Sequence, residues 1–321
     1  MSETPKVLVT HPLIEDGLEL LERHYDVIVG DGLEGEALAD AVRDVAALVP
    51  LLSVRVDEPL LQRAPELRIV ANYAVGFDNV DLDAAARRRV WVTNTPGVLT
   101  EATADLAWSA LLGVVRRVVA GHRMMASGSY DGWGATMLLG VDLYGKTLGI
   151  VGLGKIGRAT ARRAAGFGMR VVFHDSSTTG EVDLDGLVTA SSAGLDELLQ
   201  LADFVSLHTP LTAETHHLID ARRLALMKPT AYLVNTSRGP VVDEAALVAH
   251  LRAGRIAGAA LDVYEREPAM APGLAELDNV LLLPHIGSAT RETRTAMART
   301  VAANVHAVLQ GHDPPNPVVR V

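Results

Sequence analysis

Short runs of apolar, often β-branched residues recur along the chain and alternate with segments of helical periodicity. In the first third, these runs predict strands at residues 6–10, 26–29, 47–51, 68–71 and 90–93. Helical patterns separate them, for example at residues 13–23 and 81–89. Strands that alternate with helices in this way are typical of a parallel sheet with crossover helices. This part therefore predicts one doubly wound α/β domain.

The same alternation restarts after an apolar helix that is predicted to begin near Glu101. Further strands are predicted at residues 147–151, 170–174, 204–207, 231–235, 257–263 and 280–283. A last helix at residues 291–309 precedes a proline-rich tail in which we predict no strand, so we expect this segment to return to the first domain. The fold class is thus α/β with two doubly wound parallel-sheet domains. Residues 1–98 plus 288–321 form a flavodoxin-like domain, and residues 99–287 form an inserted Rossmann domain.

A glycine-rich string directly follows the first strand of the second domain. Gly152 permits a tight turn, Gly154 lets the backbone approach a pyrophosphate, and Gly157 allows close packing of helix on strand. The N–H groups of Lys155 and Ile156, at the start of the following helix, are predicted to face the diphosphate. The string has a strand before it and a helix after it, and this context predicts a dinucleotide site.

Asp175 ends the next predicted strand, about 20 residues beyond the glycine string, where a ribose-binding acid is expected. Its carboxylate would accept hydrogen bonds from the adenosine ribose. It would repel a 2′-phosphate by about 3 kcal/mol at ~5 Å and an effective dielectric constant of ~20. Residues 176–178 supply no arginine to offset this repulsion. We therefore predict NAD(H), preferred over NADP(H), as the cofactor.

Composition removes several other classes of function. The formal net charge is -10, which does not suit a nucleic-acid-binding surface. The chain contains no cysteine, so disulfides and thiolate–metal sites are excluded, and we predict no metal. The N-terminus lacks a signal-peptide pattern, and the apolar stretch 104–120 is interrupted by Arg116 and Arg117. We expect a cytoplasmic protein with no membrane or nucleic-acid partner.

Three segments with chemically active side chains follow late strands, at residues 235–239, 261–268 and 284–289. Ligands bind at the carboxyl ends of the strands in an open parallel sheet, so these segments are expected to converge. Jointly they resemble the signatures of the D-isomer-specific 2-hydroxyacid dehydrogenase family, and the resemblance extends from about residue 6 to the C-terminus. Residues 52–55 and 71–81 are similar to the glyoxylate/hydroxypyruvate reductase branch. That branch often prefers NADPH and has an arginine where this chain has Ser176.

The resemblance implies an enzyme that transfers a hydride between a nicotinamide cofactor and C2 of a small 2-oxo or 2-hydroxy acid. It assigns catalytic roles to Arg238, Glu267 and His285. The planar guanidinium of Arg238 suits a carboxylate and the C2 oxygen. His285 would be the general acid in reduction and the base in the reverse direction. Glu267 would orient the imidazole and favour its charged form.

The resemblance also implies a wider set of contacts. The substrate-binding residues would be Leu52, Ser53, Val75, Gly76, Met137 and Arg238. The further cofactor contacts would be Thr103, His208, Thr209, Pro210, Thr215, Thr236, Ser237, Arg238, Asp262, His285 and Gly287. Three of these positions have an ordinary alternative. Gly76 could serve a strand-to-helix turn, Thr103 could be a helix-start hydroxyl, and Asp262 could be a structural acid at a strand end.

Residues of about 121–146 resemble the dimerisation arm of this family and predict a homodimer, with Met137 reaching the partner's active site. Packing of Met137 within its own chain is the alternative. For function, the leading expectation is NADH-dependent reduction of glyoxylate or hydroxypyruvate. A D-lactate-type or other D-2-hydroxyacid dehydrogenase is the second reading. A non-catalytic, NAD-sensing interaction protein is the third, from a different class.

Overall fold

The computed structural model describes residues 4–319, and the chain divides into two compact units. The first unit contains the described residues up to Leu99 and those from Ser288 onward, and the second is Thr100–Gly287. Residues 1–3 and 320–321 lie outside the described residues. These residues are the two ends of the first predicted domain. Residues 1–3 also belong to the N-terminal segment that lacks a signal-peptide pattern.

The first unit is built from alternating strands and helices. Its elements are β1 (Lys6–Val9), α1 (Glu15–Glu22), β2 (Asp26–Val29), α2 (Gly35–Ala41), β3 (Ala47–Val49), α3 (Glu58–Gln62), β4 (Ile69–Ala71), α4 (Leu82–Arg87), β5 (Trp91–Thr93), α11 (Arg291–Leu309) and β14 (Pro317–Val319). The sheet order is β14-β5-β4-β3-β1-β2, and β1 to β5 are parallel. Without β14, this is the order of a flavodoxin-like sheet.

The two faces of this sheet are covered by different helices. Leu8, Leu48 and Val70 point to one face and join a buried apolar cluster with residues of α2, α3 and α4. α11 packs against α1 and against β3, β4 and β5. Burial on both faces explains why the strands are apolar along their length.

The C-terminal tail differs from our prediction. We predicted no strand after α11, but β14 pairs antiparallel with β5 at the sheet edge. Proline lacks a backbone N–H and is tolerated only on edge strands or at bulges, and the register shifts between Pro317 and Val319. The prolines around this segment suggested a coil, whereas the segment forms an edge strand. The described residues from Ser288 onward group with the first unit.

The second unit has a larger sheet. Its elements are α5 (Thr100–Val115), α6 (Val118–Ala126), β6 (Thr147–Val151), α7 (Lys155–Arg163), β7 (Arg170–His174), β8 (Glu181–Leu184), β9 (Val188–Ser192), α8 (Leu195–Leu201), β10 (Phe204–Leu207), α9 (Ala221–Leu224), β11 (Tyr232–Asn235), α10 (Glu244–Arg252), β12 (Gly258–Leu261) and β13 (Val280–Leu282). Short 3₁₀ helices follow α7 at Ala164–Phe167 and β11 at Gly239–Val241.

The strand order of the second unit is β13-β12-β11-β10-β6-β7-β9-β8, and only the β8–β9 pair is antiparallel. Alternate strand residues enter two separate cores. Val151 and Leu207 join the cluster on one face of the sheet, and Ile150 and Phe204 join the cluster on the other. With β9, β7, β6, β10, β11 and β12, the sheet has the Rossmann order. The prediction of two doubly wound α/β domains is confirmed.

Strands β8 and β9 were not predicted. They form a hairpin whose turn contains Asp185 and Gly186, both with positive φ (60° and 69°). The register pairs Leu184 with Val188, so residues 185–187 form a three-residue connection, in which Asp and Gly are favoured because they tolerate positive φ. The turn signal was therefore present in the sequence, although the strands beside it are polar and half exposed.

Among residues 4–319, no helix is long and apolar enough to cross a membrane.

Candidate active site

The glycine string forms the connection between β6 and α7, and the space for a side chain differs at each of the three glycines. Gly152 has a φ of +93°, and a Cβ there would lie 2.8 Å from the backbone of His208. A Cβ on Gly157 would lie 2.0 Å from the carbonyl oxygen of Gly152. Around Gly154, no atom lies within 4 Å of the Cβ position, so the space beside it is open to a ligand. These are the environments that a pyrophosphate-binding loop requires.

The start of α7 offers hydrogen-bond donors. Gly154 is its N-cap residue, and no acceptor within residues 4–319 is recorded for the N–H groups of Lys155 and Ile156. The hydroxyl oxygens of Thr209 and Thr236 are buried and also have no hydrogen-bond partner in that range. Unpaired buried hydroxyls are costly unless a ligand satisfies them. The open space at Gly154 and these polar groups together fit a bound dinucleotide.

Asp175 stands directly after β7, and its carboxylate helps to shape the glycine loop. Oδ2 accepts from the Leu153 N–H at 2.8 Å, and Oδ1 accepts from Ser177 Oγ at 2.7 Å and from the N–H groups of Ser177 and Thr178. Burial raises the pKa of Asp175, but these hydrogen bonds outweigh it and lower the pKa below the ordinary value. The carboxylate is therefore charged at neutral pH, as a ribose acceptor must be.

The segment after β10 contains the other predicted adenosine-side residues. The imidazole Nε2 of His208 lies 2.9 Å from Ser206 Oγ, and burial lowers the pKa of His208 to about 3, so it is neutral. The Thr215 hydroxyl donates to the carbonyl oxygen of Pro210 at 2.6 Å. Thr215 therefore stabilises the turn itself. Contact of His208, Pro210 and Thr215 with a nucleotide stays a prediction.

The loop after β11 presents Arg238. Asn235 organises this loop, because its Nδ2 donates to the Arg238 carbonyl at 2.9 Å and its Oδ1 accepts from the N–H and hydroxyl of Ser237. Arg238 Nη1 donates to the Ser237 carbonyl at 2.8 Å. Gly239 lies against the loop that holds Glu267, since a Cβ on Gly239 would be 1.9 Å from the Tyr264 backbone.

His285 and Glu267 are in direct contact. Nδ1 of His285 lies 2.8 Å from Glu267 Oε2, and the Tyr264 N–H donates to Glu267 Oε1 at 3.0 Å. Burial raises the pKa of Glu267, whereas the hydrogen bond and charge of His285 and the charge of Arg238 lower it, with a net decrease. The effect of Arg238 places it within electrostatic range of this carboxylate. The structure therefore brings the three residues of the expected triad together in one unit.

A strained turn holds His285. Its φ is +55°, a left-handed conformation that costs a non-glycine residue about 1–2 kcal/mol. The buried Asp262 stabilises the turn, because its carboxylate accepts from the N–H groups of Ile286 and Gly287, both at 2.8 Å, and its carbonyl accepts from His285 N–H at 2.9 Å. Burial raises the pKa of Asp262 despite these hydrogen bonds. The structural alternative for Asp262 is thus observed, and a nicotinamide contact remains a prediction.

Thr103 lies inside α5 rather than at its cap, since the helix begins at Thr100. It is buried, and a Cβ on Gly287 would lie 3.5 Å from its methyl carbon and 3.3 Å from Asp262 Oδ2. The alternative of a helix-capping hydroxyl is therefore not supported for Thr103. Thr103, Asp262 and Gly287 form one packed group beside the His285 turn.

The first unit holds the other predicted substrate residues on two loops. Leu52 and Ser53 line a groove of about 440 Å³ together with Arg55, Asp57, Asp78, Asn79 and Asp81. Val75 and Gly76 lie on a second loop that follows β4. Side-chain amides of Asn72 and Asn94 donate to the carbonyl oxygens of Gly76 and Val75. The sequence patterns did not indicate a function for these asparagines, although Asn72 lies within residues 71–81, which resemble the reductase branch.

A second histidine–glutamate pair was also missed. His217 Nε2 lies 2.9 Å from Glu265 Oε1. Glu265 Oε2 accepts from the Glu244 N–H at the start of α10, and Glu244 Oε2 accepts from the Ala271 N–H. These contacts fasten both sides of the loop that contains Glu267. Neither pattern nor spacing in the sequence links residues that are so far apart.

Met137 in the predicted arm is half buried, and several apolar side chains around it are exposed, above all Trp133 (82%) and Tyr144 (84%). Among residues 4–319, no group of three or more His, Cys, Asp or Glu side chains could hold a metal ion.

Comparison with known proteins decides the family. The family model described as the NAD binding domain of D-isomer specific 2-hydroxyacid dehydrogenases matches residues 108–287. A glyoxylate reductase of Thermococcus onnurineus is 50% identical over 323 residues, which cover 98% of this chain and 96% of that protein. A glyoxylate reductase of Pyrococcus horikoshii is 49% identical, with 98% and 96% covered.

The chain belongs to the D-isomer specific 2-hydroxyacid dehydrogenase family. It is therefore an oxidoreductase with a domain for a nicotinamide cofactor, as the sequence signatures predicted.

Solved structures of family members agree with this fold. A protein from Thermus thermophilus superposes with a TM-score of 0.91 at 47% identity and covers 98% of this chain and 100% of its own. An NADPH-dependent glyoxylate/hydroxypyruvate reductase from Sinorhizobium meliloti, in complex with NADP and malonate, gives a TM-score of 0.87 at 34% identity, with 98% and 97% covered. The prediction of the family and its α/β architecture is confirmed.

Proposed function

We propose that this dehydrogenase uses NADH to reduce glyoxylate, whose product is achiral, or hydroxypyruvate, whose product is the D-2-hydroxy acid. The observation that supports it most is the 2.8 Å contact between His285 Nδ1 and Glu267 in the unit that contains the dinucleotide loop. The substrate class is supported by glyoxylate reductases that are about half identical over nearly the whole chain. In this proposal the first unit is the substrate domain and the second is the dinucleotide-binding domain.

His285 serves as the proton donor. Because the Glu267 carboxylate accepts from Nδ1, the imidazole keeps a second proton on Nε2 when it is charged. Bound nicotinamide supplies the hydride that C2 receives. Nε2 then protonates the C2 oxygen, so the carbonyl gains one hydride and one proton and becomes a hydroxyl. In the reverse direction, neutral Nε2 accepts that proton.

Arg238 holds the substrate in this proposal. Its guanidinium can donate two parallel hydrogen bonds to a carboxylate and can also polarise the C2 oxygen. On the first unit, the N–H groups of Val75 and Gly76 are proposed to bind the carboxylate, while Leu52 and Ser53 contact the C2 substituent. The groove beside Leu52 and Ser53 is lined by three aspartates and by Arg55, which pairs with Asp57 at 3.6 Å, and the remaining negative charge would disfavour a phosphorylated substituent.

NADH is proposed as the preferred reductant. Asp175 is held in place, negatively charged, at the end of β7. A carboxylate there favours ribose hydroxyls over a 2′-phosphate. The structural neighbour from Sinorhizobium meliloti is named as NADPH-dependent, so cofactor preference varies among similar folds and needs its own measurement.

We also propose a homodimer that uses the segment of about 121–146. Exposed Trp133, Leu139 and Tyr144 on this segment support it, since large exposed apolar groups mark interaction surfaces. The contact of Met137 with a partner's active site belongs to the same proposal.

A substrate and cofactor panel tests the function. Glyoxylate, hydroxypyruvate and pyruvate are each assayed with NADH and NADPH by the absorbance of the reduced cofactor. We expect the highest kcat/KM for glyoxylate or hydroxypyruvate with NADH, about 100-fold above NADPH for a 3 kcal/mol repulsion. A preference for pyruvate would favour the D-lactate-type enzyme, and no turnover at all would favour the NAD-sensing protein.

Two variants test the residue roles. Arg238→Ala should lower kcat/KM by about 100-fold or more, because a charged hydrogen-bonding pair with the substrate is lost, while NADH binding changes little. His285→Ala should remove turnover, because no other donor protonates the C2 oxygen. Near-normal kcat in His285→Ala would contradict the assignment of the proton donor.

A further inference from the structure

Two side-chain amides hold consecutive carbonyl oxygens of the loop at residues 75–77. Asn94 Nδ2 donates to the Val75 carbonyl oxygen at 2.7 Å, and Asn72 Nδ2 donates to the Gly76 carbonyl oxygen at 2.7 Å. Asn72 is fully buried, and Asn94 follows the end of β5. Both donors therefore come from the ordered end of the sheet, and they fix the rotation of two successive peptide planes.

Because the peptide bond is planar, these contacts also fix the directions of two backbone N–H groups. In a planar trans peptide, the carbonyl of one residue and the N–H of the next point to opposite sides. Asn94 holds the Val75 carbonyl, so the Gly76 N–H points away from Asn94. Asn72 holds the Gly76 carbonyl, and the Phe77 N–H accordingly points away from Asn72. The two amides set the directions of two adjacent N–H groups.

These N–H groups are available to a ligand. Within residues 4–319, no acceptor is recorded for the N–H of Val75, Gly76 or Phe77. Gly76 is half buried, and Phe77 is exposed. Successive backbone N–H groups without internal acceptors form a concave anion-binding arrangement. A loop that is held by its carbonyls and leaves its N–H groups unpaired is arranged to bind an anion.

A third asparagine connects this loop to the one with Leu52 and Ser53. Asn79 Nδ2 donates to the Val54 carbonyl at 3.0 Å and to the Leu51 carbonyl at 3.3 Å. Asn72 and Asn79 also exchange amide hydrogen bonds, both at 3.1 Å. The position of residues 51–54 is therefore coupled to the same amide that directs the Phe77 N–H.

We propose that Asn72 and Asn94 are positioning residues that direct the N–H groups of Gly76 and Phe77 toward the substrate carboxylate, with Asn79 coupling this loop to residues 51–54. The inference rests on the proposed 2-oxo acid reduction and adds Phe77 N–H as a donor. Neither asparagine touches the substrate itself. They order the two N–H donors before the substrate binds, so that substrate binding does not have to rotate the peptides.

Asn94→Ala is the main test, because Asn94 is only half buried and its replacement leaves the sheet intact. The variant frees the Val75 carbonyl and lets the first peptide plane rotate. We expect the KM for glyoxylate to rise by about tenfold, the size expected for a charge-assisted hydrogen bond that is lost. The kcat should change by less than about threefold, since carboxylate binding is the same in ground and transition states. The inhibition constant of oxamate, a non-reacting carboxylate, should rise in parallel.

Tyr73→Phe is the matched control. Tyr73 neighbours Asn72, and its hydroxyl donates to the Arg294 carbonyl at 2.7 Å, so the change removes one buried hydrogen bond from the same loop without touching residues 75–77. The control should keep the wild-type KM. Asn72→Ala should reproduce the KM increase of Asn94→Ala if it folds, and the Asn94 result stands without it. NADH binding, measured by fluorescence, should be unchanged in all variants.

Three outcomes overturn the proposal. The first is an unchanged KM in Asn94→Ala, and the second is a fall in kcat without a rise in KM. The third is an equal rise in KM in Tyr73→Phe, which would indicate general loosening of the loop. Wild-type turnover separates this failure from that of the proposed function. An active wild type with any of these results overturns the inference alone, whereas a wild type inactive on every 2-oxo acid overturns both.

Discussion

Two glutamates of the second unit differ in the direction of their pKa shifts, and their partners explain why. The carboxylate of Glu267 accepts from Tyr264 N–H and faces His285, and its pKa is lowered below the ordinary value. Glu244 is buried, and the atom Oε1 has no hydrogen-bond partner within residues 4–319. Burial, together with the charges of Glu265 and Glu267, raises the pKa of Glu244. The surroundings of Glu267 thus favour its charged form, and those of Glu244 disfavour it.

Glu267→Gln tests the first of these roles. Glutamine can still accept a hydrogen bond from His285 Nδ1 but removes the negative charge that favours the imidazolium. We expect kcat/KM to fall on the order of 100-fold, and the alkaline limb of its pH profile to move to lower pH. The pH dependence of kcat/KM for glyoxylate is the measurement, with NADH binding as the control. A lower rate with an unmoved alkaline limb would indicate that Glu267 only orients the imidazole and that its charge has no effect on the proton transfer.

Glu244→Gln tests the second role through stability. Because the folded protein raises the pKa of Glu244, the unfolded chain loses this proton at lower pH than the folded one. The wild type therefore loses stability relative to the glutamine variant as pH rises from the unfolded toward the folded pKa. Urea unfolding at about pH 4 and pH 8 should show a difference in unfolding free energy that shifts in favour of the variant at the higher pH. A constant difference across this range would contradict a raised pKa.

At the scale of single elements, the β6–α7 connection makes a prediction that separates binding from folding. Gly154→Ala places a methyl group in open space, so we expect normal stability and NADH binding weakened by about tenfold or more, because the methyl group occupies the ligand's position. Gly157→Ala pushes a methyl group into the Gly152 carbonyl and should cost about 1–3 kcal/mol of unfolding free energy. Thermal unfolding and NADH titration are the two measurements.

Gly166→Ala is the control for this pair, since its Cβ position is also open but lies in the 3₁₀ helix beyond α7. It should retain both stability and NADH binding. If Gly154→Ala bound NADH as the wild type does, the glycine string would not be the pyrophosphate site. If it unfolded as readily as Gly157→Ala, the open space beside Gly154 would be in doubt.

Elements with a continuous apolar core pattern could be predicted from the sequence. The strands Thr147–Val151, Arg170–His174 and Phe204–Leu207 were predicted with the observed bounds, because strands inside a sheet leave a mostly apolar run. The edge strand Asp26–Val29 was also predicted with its observed bounds, because its residues 27–29 are β-branched. The strands that were missed, β8, β9 and β14, lie at sheet edges or next to them, where one face is exposed and polar residues or proline are tolerated.

The candidate site shows a similar division. Residues in short strings with a local reason, such as Gly157 and Asp175, could be predicted from their spacing and from the strands and helix around them. Partners that meet only through the fold were not, and His217 with Glu265 and Asn94 with Val75 are examples. Asparagine amides that hold backbone carbonyls leave no periodic signal, because each depends on a single side-chain contact rather than on a repeated pattern. The roles assigned to the site residues and the cytoplasmic location stay predictions.

At the scale of the whole molecule, the exposed apolar side chains are concentrated in one part of the chain. Val118 and Met125 lie in α6, and Trp133, Leu139 and Tyr144 lie between α6 and β6. A net charge of -10 keeps copies of the chain apart unless a local apolar surface outweighs the repulsion. This segment is the strongest candidate for such a surface, because exposed apolar groups that cluster usually mark an interface.

The double variant Trp133→Ser, Leu139→Ser tests whether this surface joins two copies. Removing two large apolar contacts of about 2 kcal/mol each, together about 4 kcal/mol, should weaken a dimer by a factor on the order of 1,000, and by more because both partners lose them. Sedimentation velocity should show a dimer for the wild type and a monomer for the variant at micromolar concentration. Leu187→Ser is the control, because Leu187 is 61% exposed but lies in the β8–β9 hairpin. A monomeric wild type would show that no such interface exists. A dimer that persists in the double variant would place the interface elsewhere. Either result would remove the support for a contact of Met137 with a partner.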